Sequence, residues 1–141
     1  MSALHLWLYG NAAGAFFAPL FDSTNSGVDT KVFDPKVIYD QHNGRFIVVL
    51  LDRMATENQA ANRSRILLAV SDDADPNGVW RFGQINSRTT VDDAGTNLDT
   101  FADYPGIAVD RDAIYITANM IPFDGNSGVG SRLWIVRKTE L

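Results

Sequence analysis

The chain has 141 residues, of which 45% are hydrophobic and 21% are charged, which is typical of one globular domain with a substantial core. Its 12 basic and 17 acidic residues give a net charge of -5, so we expect neither nucleic acid nor an anionic membrane as a partner. The absence of cysteine excludes disulfides and thiolate metal sites. No apolar run reaches the length of a membrane helix, and we expect no signal peptide or membrane anchor.

Two short strands are predicted at the start of the chain, at residues 4–9 and 15–18. They flank Gly10-Asn11-Ala12-Ala13-Gly14, a glycine-containing stretch typical of a turn. Elsewhere at most one short helix is expected, within residues 54–63, because other windows of helical length contain Gly or Pro or lack the helical period. The sequence therefore predicts an all-β fold.

Three hairpins are predicted farther along. Residues 37–40 and 45–51 flank a turn with Asn43-Gly44, a pair that tolerates the positive φ angles of tight hairpin turns. The other two hairpins join strands rich in Val, Ile, Leu and Phe across polar turns. Their strands are residues 66–70 with 79–85, and 107–109 with 113–119.

An internal repeat is the most informative feature of the sequence. Pro35, Val37 and Asp40 recur as Pro105, Ile107 and Asp110, about 70 residues later, and such periods are typical of stacked structural units. The strand Ser64-Arg65-Ile66-Leu67-Leu68 likewise matches Ser131-Arg132-Leu133-Trp134-Ile135. Residues 6–9 resemble residues 133–136, which suggests a third copy of that strand.

These repeats favour a partial β-propeller of about two blades, each a four-stranded antiparallel sheet. The predicted division is residues 1–20 as end strands of a preceding blade, 31–88 as one blade and 100–141 as an incomplete blade. Since a closed ring uses four to eight blades, we expect further blades of the same or another chain to cover the open faces. A β-sandwich with two similar sheets is the alternative.

Several motifs resemble the repeats of uncharacterised bacterial secreted β-propeller proteins. They are Asp34-Pro35-Lys36-Val37-Ile38-Tyr39-Asp40 with Gly44-Arg45-Phe46, then Asp75-Pro76-Asn77-Gly78-Val79-Trp80, and Asp103-Tyr104-Pro105-Gly106 with Tyr115-Ile116-Thr117-Ala118-Asn119. The resemblance covers residues 30–137. It implies an extracellular or periplasmic protein, although this chain shows no signal peptide.

The turn between residues 71 and 80 also resembles a degenerate Asp-box of sialidase-like propellers. The two ends of the motif match Ser71-Asp72-Asp73 and Gly78-Val79-Trp80. The match is degenerate, because three additional residues intervene before the glycine and Val79 replaces the usual threonine. In those propellers the Asp-box joins the third and fourth strands of a blade, on the face away from the ligand. The resemblance therefore implies architecture rather than activity.

The same turn has a second interpretation as a calcium loop. Asp73, Asp75 and Asn77, followed by Gly78, have the alternating oxygen ligands that begin such a loop. However, Gln84 stands where a bidentate glutamate is expected, and a hairpin flanks the turn instead of two helices. The alternative is an Asx-rich turn whose side chains bond their own backbone.

A ligand site is predicted where the innermost strands begin and the loops between second and third strands gather. This places Asp34, Asp103, Tyr104 and Asn119 on one face, beside loop residues 52–63 and 120–130. An aromatic ring with carboxylates suits sugar recognition, because the ring stacks on a pyranose and the oxygens bind hydroxyls. The alternative is structural: Asp34 and Asp103 cap the loop, and Tyr104 packs between blades.

No motif assigns a catalytic residue. We therefore expect a non-enzymatic propeller scaffold or binding module, with glycan as the candidate partner and no required cofactor except possible Ca²⁺. The first alternative is part of a sialidase-like glycoside hydrolase propeller, whose acid pairs would form only in three dimensions. The second is a purely structural part of a larger cell-surface protein.

Overall fold

The computed structural model describes residues 11–21, 31–125 and 127–141. Within these residues, one short helix precedes eight strands. Short 3-10 turns lie at Ala18–Leu20, Gln59–Ala61 and Lys138–Glu140. The regular elements are α1 (Asn11–Phe16), β1 (Lys31–Asp40), β2 (Arg45–Met54), β3 (Arg63–Ser71), β4 (Trp80–Asn86), β5 (Thr89–Asp93), β6 (Thr96–Val109), β7 (Ala113–Pro122) and β8 (Gly130–Arg137).

The strands form two four-stranded antiparallel sheets, each with its strands in chain order. Sheet 1 contains β1 to β4 and sheet 2 contains β5 to β8. All three predicted hairpins are confirmed, as β1–β2, β3–β4 and β6–β7. In the first, Gly44 has a φ of 65° and its N–H donates to the Asp40 carbonyl at 2.8 Å, which closes the turn.

The strand predicted at residues 15–18 is wrong, because this segment is helical. Helix α1 ends at Phe16, and a 3-10 turn follows at Ala18–Leu20. Helical spacing brings Phe16, Phe17 and Leu20 onto the same apolar face of sheet 1, and Phe17 is fully buried there. The strand predicted at residues 4–9 lies outside the described residues.

The sequence reading missed strand β5 and the first half of β6. They form a tight hairpin through Ala94 and Gly95, with φ angles of 50° and 88°, and positive φ at both positions is typical of a type I′ turn. Alanine rarely occupies such a position, so the turn lacked its usual signature. Sheet 2 consequently begins at Thr89 rather than near residue 100.

One apolar core lies between the two sheets. Sheet 1 contributes side chains from β2 and β3, and sheet 2 contributes side chains from β6 and β7. Burial of each large aliphatic side chain contributes roughly 1.5–3 kcal/mol to folding. The opposite face of sheet 1 packs under α1 and the turn that follows it. The buried residues of the shared core are Ile47, Val49, Leu51, Ile66, Leu68, Val70, Ala102, Ile114, Ile116 and Ala118.

Strands β1 and β6 have the same irregularity in the same register. The pairing of β1 with β2 shifts between Phe33 and Lys36, and the pairing of β6 with β7 shifts between Asp103 and Gly106. At each bulge a residue before proline has a positive φ: Asp34 at 52° and Tyr104 at 51°. These two residues lie 70 positions apart along the chain.

The register corrects the match proposed for the third strand. Leu68 lies opposite Val49 in sheet 1, and Leu133 lies opposite Thr117 in sheet 2. Leu68 is therefore geometrically equivalent to Leu133, not to Ile135 as the sequence match implied. The sequence could not reveal this slip, because an even shift leaves each side chain on the same face of the sheet.

Sheet 2 has one apolar face that no element among the described residues covers, here called the open face. It includes Leu133, 52% exposed, and Ile135, 59% exposed, on β8, with Gly106 and Ala108 on β6, on the far side of β7. The equivalent positions of sheet 1, Leu68 and Val70, are each 3% exposed because sheet 2 covers them. The same surface is thus buried in one sheet and exposed in the other.

Candidate functional site

The bulges of β1 and β6 lie against each other at the predicted ligand site. The backbone N–H of Tyr104 donates to Asp34 Oδ2 at 3.2 Å. Lys36 Nζ lies 5.1 Å from the centre of the Tyr104 ring, within cation–π range. The Tyr104 side chain is 68% exposed, so among the described residues its ring is not packed between sheets.

Asp103 and Asn119 are direct partners across β6 and β7, next to the bulge that carries Tyr104. Asn119 is in turn the partner of Ser131 on β8, and its Oδ1 accepts a hydrogen bond of 3.1 Å from the Ser131 hydroxyl. The structure thus places Asp34 against the backbone of Tyr104, and pairs Asp103 with Asn119 next to the same bulge. We call Asp34, Asp103, Tyr104 and Asn119 the Tyr104 surface.

The backbone at Tyr104 is strained. Positive φ is unfavourable for an aromatic residue, and a following proline restricts the backbone further. Such conformations cost about 1–3 kcal/mol each and persist where the surrounding structure enforces them. Here the Asp34 carboxylate holds the Tyr104 N–H, so the aspartate also has the capping role proposed as the structural alternative.

The predicted calcium loop is built as a series of Asx turns. Asp73 Oδ1 accepts the N–H of Asp75 at 2.7 Å, and Asp75 Oδ1 accepts the N–H of Asn77 at 2.9 Å. The side-chain amide of Asn77 also donates to Asp75. Each carboxylate thus uses one oxygen on its own turn, as the Asx-turn interpretation predicts, while calcium binding here stays a prediction.

The ends of this turn join β3 to β4, the position expected of an Asp-box. The buried Ser71 hydroxyl donates to the Asp73 carbonyl at 2.6 Å and accepts the N–H of Phe46 at 2.8 Å. Trp80 Nε1 donates to the Pro76 carbonyl at 3.1 Å. These bonds fasten the turn to sheet 1, while its identity as an Asp-box stays a prediction.

A cleft of about 210 Å³ opens between the sheets, where the predicted loop regions meet. Arg53 links them, because its Nη2 donates to the Phe123 carbonyl at 3.2 Å and its guanidinium lies 4.0 Å from the centre of the Phe101 ring. The sequence reading placed these loops together but named no residue of this cleft. Its lining is Ala55, Thr56, Gln59, Asn62, Asn97, Leu98, Asp99, Phe123 and Asp124.

Arg88, which the sequence reading did not select, fixes one wall of this cleft. Its Nε and Nη2 donate to both oxygens of Asp99 at 2.8 and 3.0 Å. Its remaining N–H groups donate to the carbonyls of Gln59, Ala60 and Asn62. The hydrogen bond to Asp99 raises the pKa of Arg88, against a smaller effect of burial. No local motif marks an arginine whose partners come from separate loops.

A charged cluster lies at the opposite ends of the strands. The Asp40 carboxylate is buried and pairs with Lys138 Nζ at 2.6 Å. Lys138 Nζ also donates to the Asp110 carbonyl, and Tyr115 donates to the Asp110 carboxylate at 2.7 Å. The Tyr115 hydrogen bond, with backbone N–H groups of Asp112 and Ala113, lowers the pKa of Asp110 to about 2. Lys138, which follows β8, therefore bonds to residues of both sheets.

Within residues 11–21, 31–125 and 127–141, no three His, Cys, Asp or Glu side chains are grouped so that they could hold a metal ion. No helix in the same part of the chain is long and apolar enough to cross a membrane. Comparison with models of protein families, with curated proteins and with solved structures finds no match to the chain.

Proposed function

We propose that the chain is a two-blade segment of a β-propeller that binds carbohydrate, with the Tyr104 surface as the ligand platform. Tyr104 would stack on a sugar ring, while Asp103 and Asn119 would bind its hydroxyls. Asp34 would position the platform through its bond to the Tyr104 N–H. The observation that carries this proposal is an exposed aromatic ring on a strained bulge, next to the paired residues Asp103 and Asn119.

The way the sheets stack supports the propeller part of the proposal. Register equivalence relates Val49 to Thr117, and Val48 to Ile116. Val49 faces the shared core, whereas its equivalent Thr117 lies on the open face with Leu133. Ile116 faces the shared core, whereas Val48 packs under α1. Equivalent faces therefore point the same way in both sheets, as in successive blades around a ring.

The strain at Tyr104 supports a role in binding. A bulge of this kind re-aims a side chain and recurs next to functional sites. Asp103 and Asn119 lie across adjacent strands, so rigid backbone holds their spacing. Aromatic rings next to such polar groups bind sugars by combining apolar contact with directional hydrogen bonds.

We expect wild-type protein to bind at least one glycan on an array, and Tyr104→Ala to abolish that binding while the thermal midpoint stays close to wild type. Tyr104→Phe should retain most of the binding, because it keeps the ring. Tyr39→Ala is the matched control, since Tyr39 is also an exposed tyrosine (44%) but lies away from the bulge.

Two results would contradict this assignment. One is a folded wild-type protein that binds no glycan, and the other is binding that Tyr104→Ala leaves unchanged. Hydrolysis of fluorogenic glycosides by the wild-type protein would instead favour the alternative of a sialidase-like glycoside hydrolase.

A second candidate role is structural, and the open face favours it. Leu133 and Ile135 expose apolar surface at positions where sheet 1 is covered by a neighbouring sheet. We propose that a further sheet, from a second copy or from another chain, covers this face. Size-exclusion chromatography with light scattering should show self-association that Leu133→Lys with Ile135→Lys shifts toward monomer. A monodisperse wild-type monomer would contradict coverage by a second copy.

A further inference from the structure

We propose that the cleft between the sheets is a separate binding site for one neutral polyhydroxylated ring, such as a single sugar residue. It is distinct from the Tyr104 surface, and it does not depend on that surface being a ligand site. Three features of the cleft support this proposal. Its walls are rigidly held, some of its polar side chains remain free, and its charge disfavours anions.

Hydrogen bonds within the protein already fix the walls of the cleft. The buried Asn62 side chain accepts the N–H of Thr56 at 2.9 Å and donates to Asp99 Oδ2 at 3.4 Å. Arg88 binds the same loop through three carbonyls. Because this loop is already ordered, ligand binding carries no free-energy cost for ordering it, which favours affinity for a small molecule.

Phe123 is fixed in the same way on the opposite wall. Its N–H donates to the Asp99 carbonyl at 3.0 Å, and its own carbonyl accepts from Arg53. Its ring centre lies 5.3 Å from that of Phe101 and 5.6 Å from the Arg53 guanidinium. The half-buried ring thus presents a rigid apolar surface to the cleft, together with Leu98.

The free polar groups of the cleft match hydroxyl groups. Gln59, Asn97 and Asp124 line it, and their side chains form no hydrogen bond with other described residues. Each amide offers both a donor and an acceptor, so vicinal hydroxyls, which also donate and accept, are suitable partners. The combination with an apolar ring is typical of sites for small polar ligands.

The charge and the volume of the cleft limit the class of ligand that it can bind. Both oxygens of Asp99 are bound by Arg88, whose positive charge is thereby neutralised, and Asp124 contributes the remaining negative charge of the lining. Among the described residues that line the cleft there is no unpaired cation, so anionic ligands are disfavoured. A volume of about 210 Å³ is below the roughly 300–1,000 Å³ of sites for drug-sized ligands, so it suits a single ring.

The test is a titration of ¹⁵N-labelled protein with glucose, galactose, mannose and N-acetylglucosamine, followed by ¹H–¹⁵N correlation spectra. At tens of millimolar sugar, we expect saturable shifts of the side-chain amide signals of Gln59 and Asn97 with at least one of these sugars. Asn97→Ala and Gln59→Ala should each weaken that binding about tenfold, as expected for loss of hydrogen bonds to the ligand. Gln41→Ala, an exposed amide in the first hairpin turn, is the matched control.

The outcomes separate this site from the Tyr104 surface. Shifts confined to the backbone amides of Asp103, Tyr104 and Asn119 would overturn the cleft proposal and leave the proposed function standing. Shifts at Gln59 and Asn97 that persist in Tyr104→Ala would support the cleft as an independent site. No shift of either amide with any of the four sugars, or binding unaffected by both cleft variants, would overturn it.

Discussion

Replacing Leu68 with alanine is expected to lower the free energy of unfolding by about 3 kcal/mol, within the range of roughly 2–5 kcal/mol for such core truncations. Leu68 is 3% exposed and packs in the core shared by the two sheets, with partners from both. The variant loses apolar contacts and leaves a cavity that the flanking strands cannot close. Urea denaturation followed by far-UV circular dichroism measures the loss.

The matched control is Leu133→Ala, the same substitution at the equivalent position of sheet 2. Leu133 is 52% exposed, so its truncation should change the free energy of unfolding by no more than about 0.5 kcal/mol in the monomer. Equal losses at Leu68 and Leu133 would contradict the different burial of the two faces. A loss at Leu133 that grows with protein concentration would show that another subunit covers the open face.

Lys138→Met is expected to lower the free energy of unfolding by about 3 kcal/mol at neutral pH. The side chains of Lys138 and Asp40 are 9% and 2% exposed, and the pair joins β1 to the end of the C-terminal strand. Removing the ammonium leaves a buried carboxylate without its cation, which costs more than losing a surface ion pair. Lys36→Met is the control, since Lys36 pairs with no carboxylate and only approaches the Tyr104 ring.

The same pair predicts how stability depends on pH. Burial raises the pKa of Asp40, but hydrogen bonds from Lys138, His42 and Asn43 and the charge of Lys138 together bring it below its usual value of 3.8. Because the folded-state pKa is lowered, the pair stabilises the fold above about pH 4. That contribution is lost as the pH falls from about 4 through the lower pKa of the folded protein.

Thermal melts of wild type and Lys138→Met between pH 7 and pH 3 provide the measurement. We expect the difference between their melting temperatures to be largest at neutral pH and to narrow below about pH 4, as Asp40 takes up a proton. A difference that stays constant over this range would contradict a role for the Asp40 charge.

The hairpins of the fold were predictable because their information is local. Asn43-Gly44 specifies a turn, and short apolar runs on either side specify strands. The β5–β6 hairpin was not predictable in this way, since Ala94 adopts a positive φ that alanine seldom takes. The helix at Asn11–Phe16 was missed because its apolar residues gain their stability from packing on sheet 1, not from local preference.

That these four residues lie at or next to the bulges of β1 and β6 could be predicted from the sequence, because the repeat places them at corresponding strand positions, while ligand binding there stays a prediction. Asp34 and Tyr104 occupy equivalent bulges, and Asp103 pairs with Asn119 once the hairpin is drawn. The cleft could not be foreseen, because Arg88 bonds to the loop at residues 59–62, and Arg53 to Phe123, only after both sheets have formed. Their side chains give no periodic or motif signal.

Because α1 covers sheet 1, the two outer sides of the stacked sheets differ. One outer side of the stack is sealed by Phe16, Phe17 and Leu20, while the other ends in Leu133 and Ile135. Head-to-tail addition of identical copies would place the open face of one copy against a side that α1 already covers in the next. A further sheet is therefore expected to add at the open face and not on the side covered by α1.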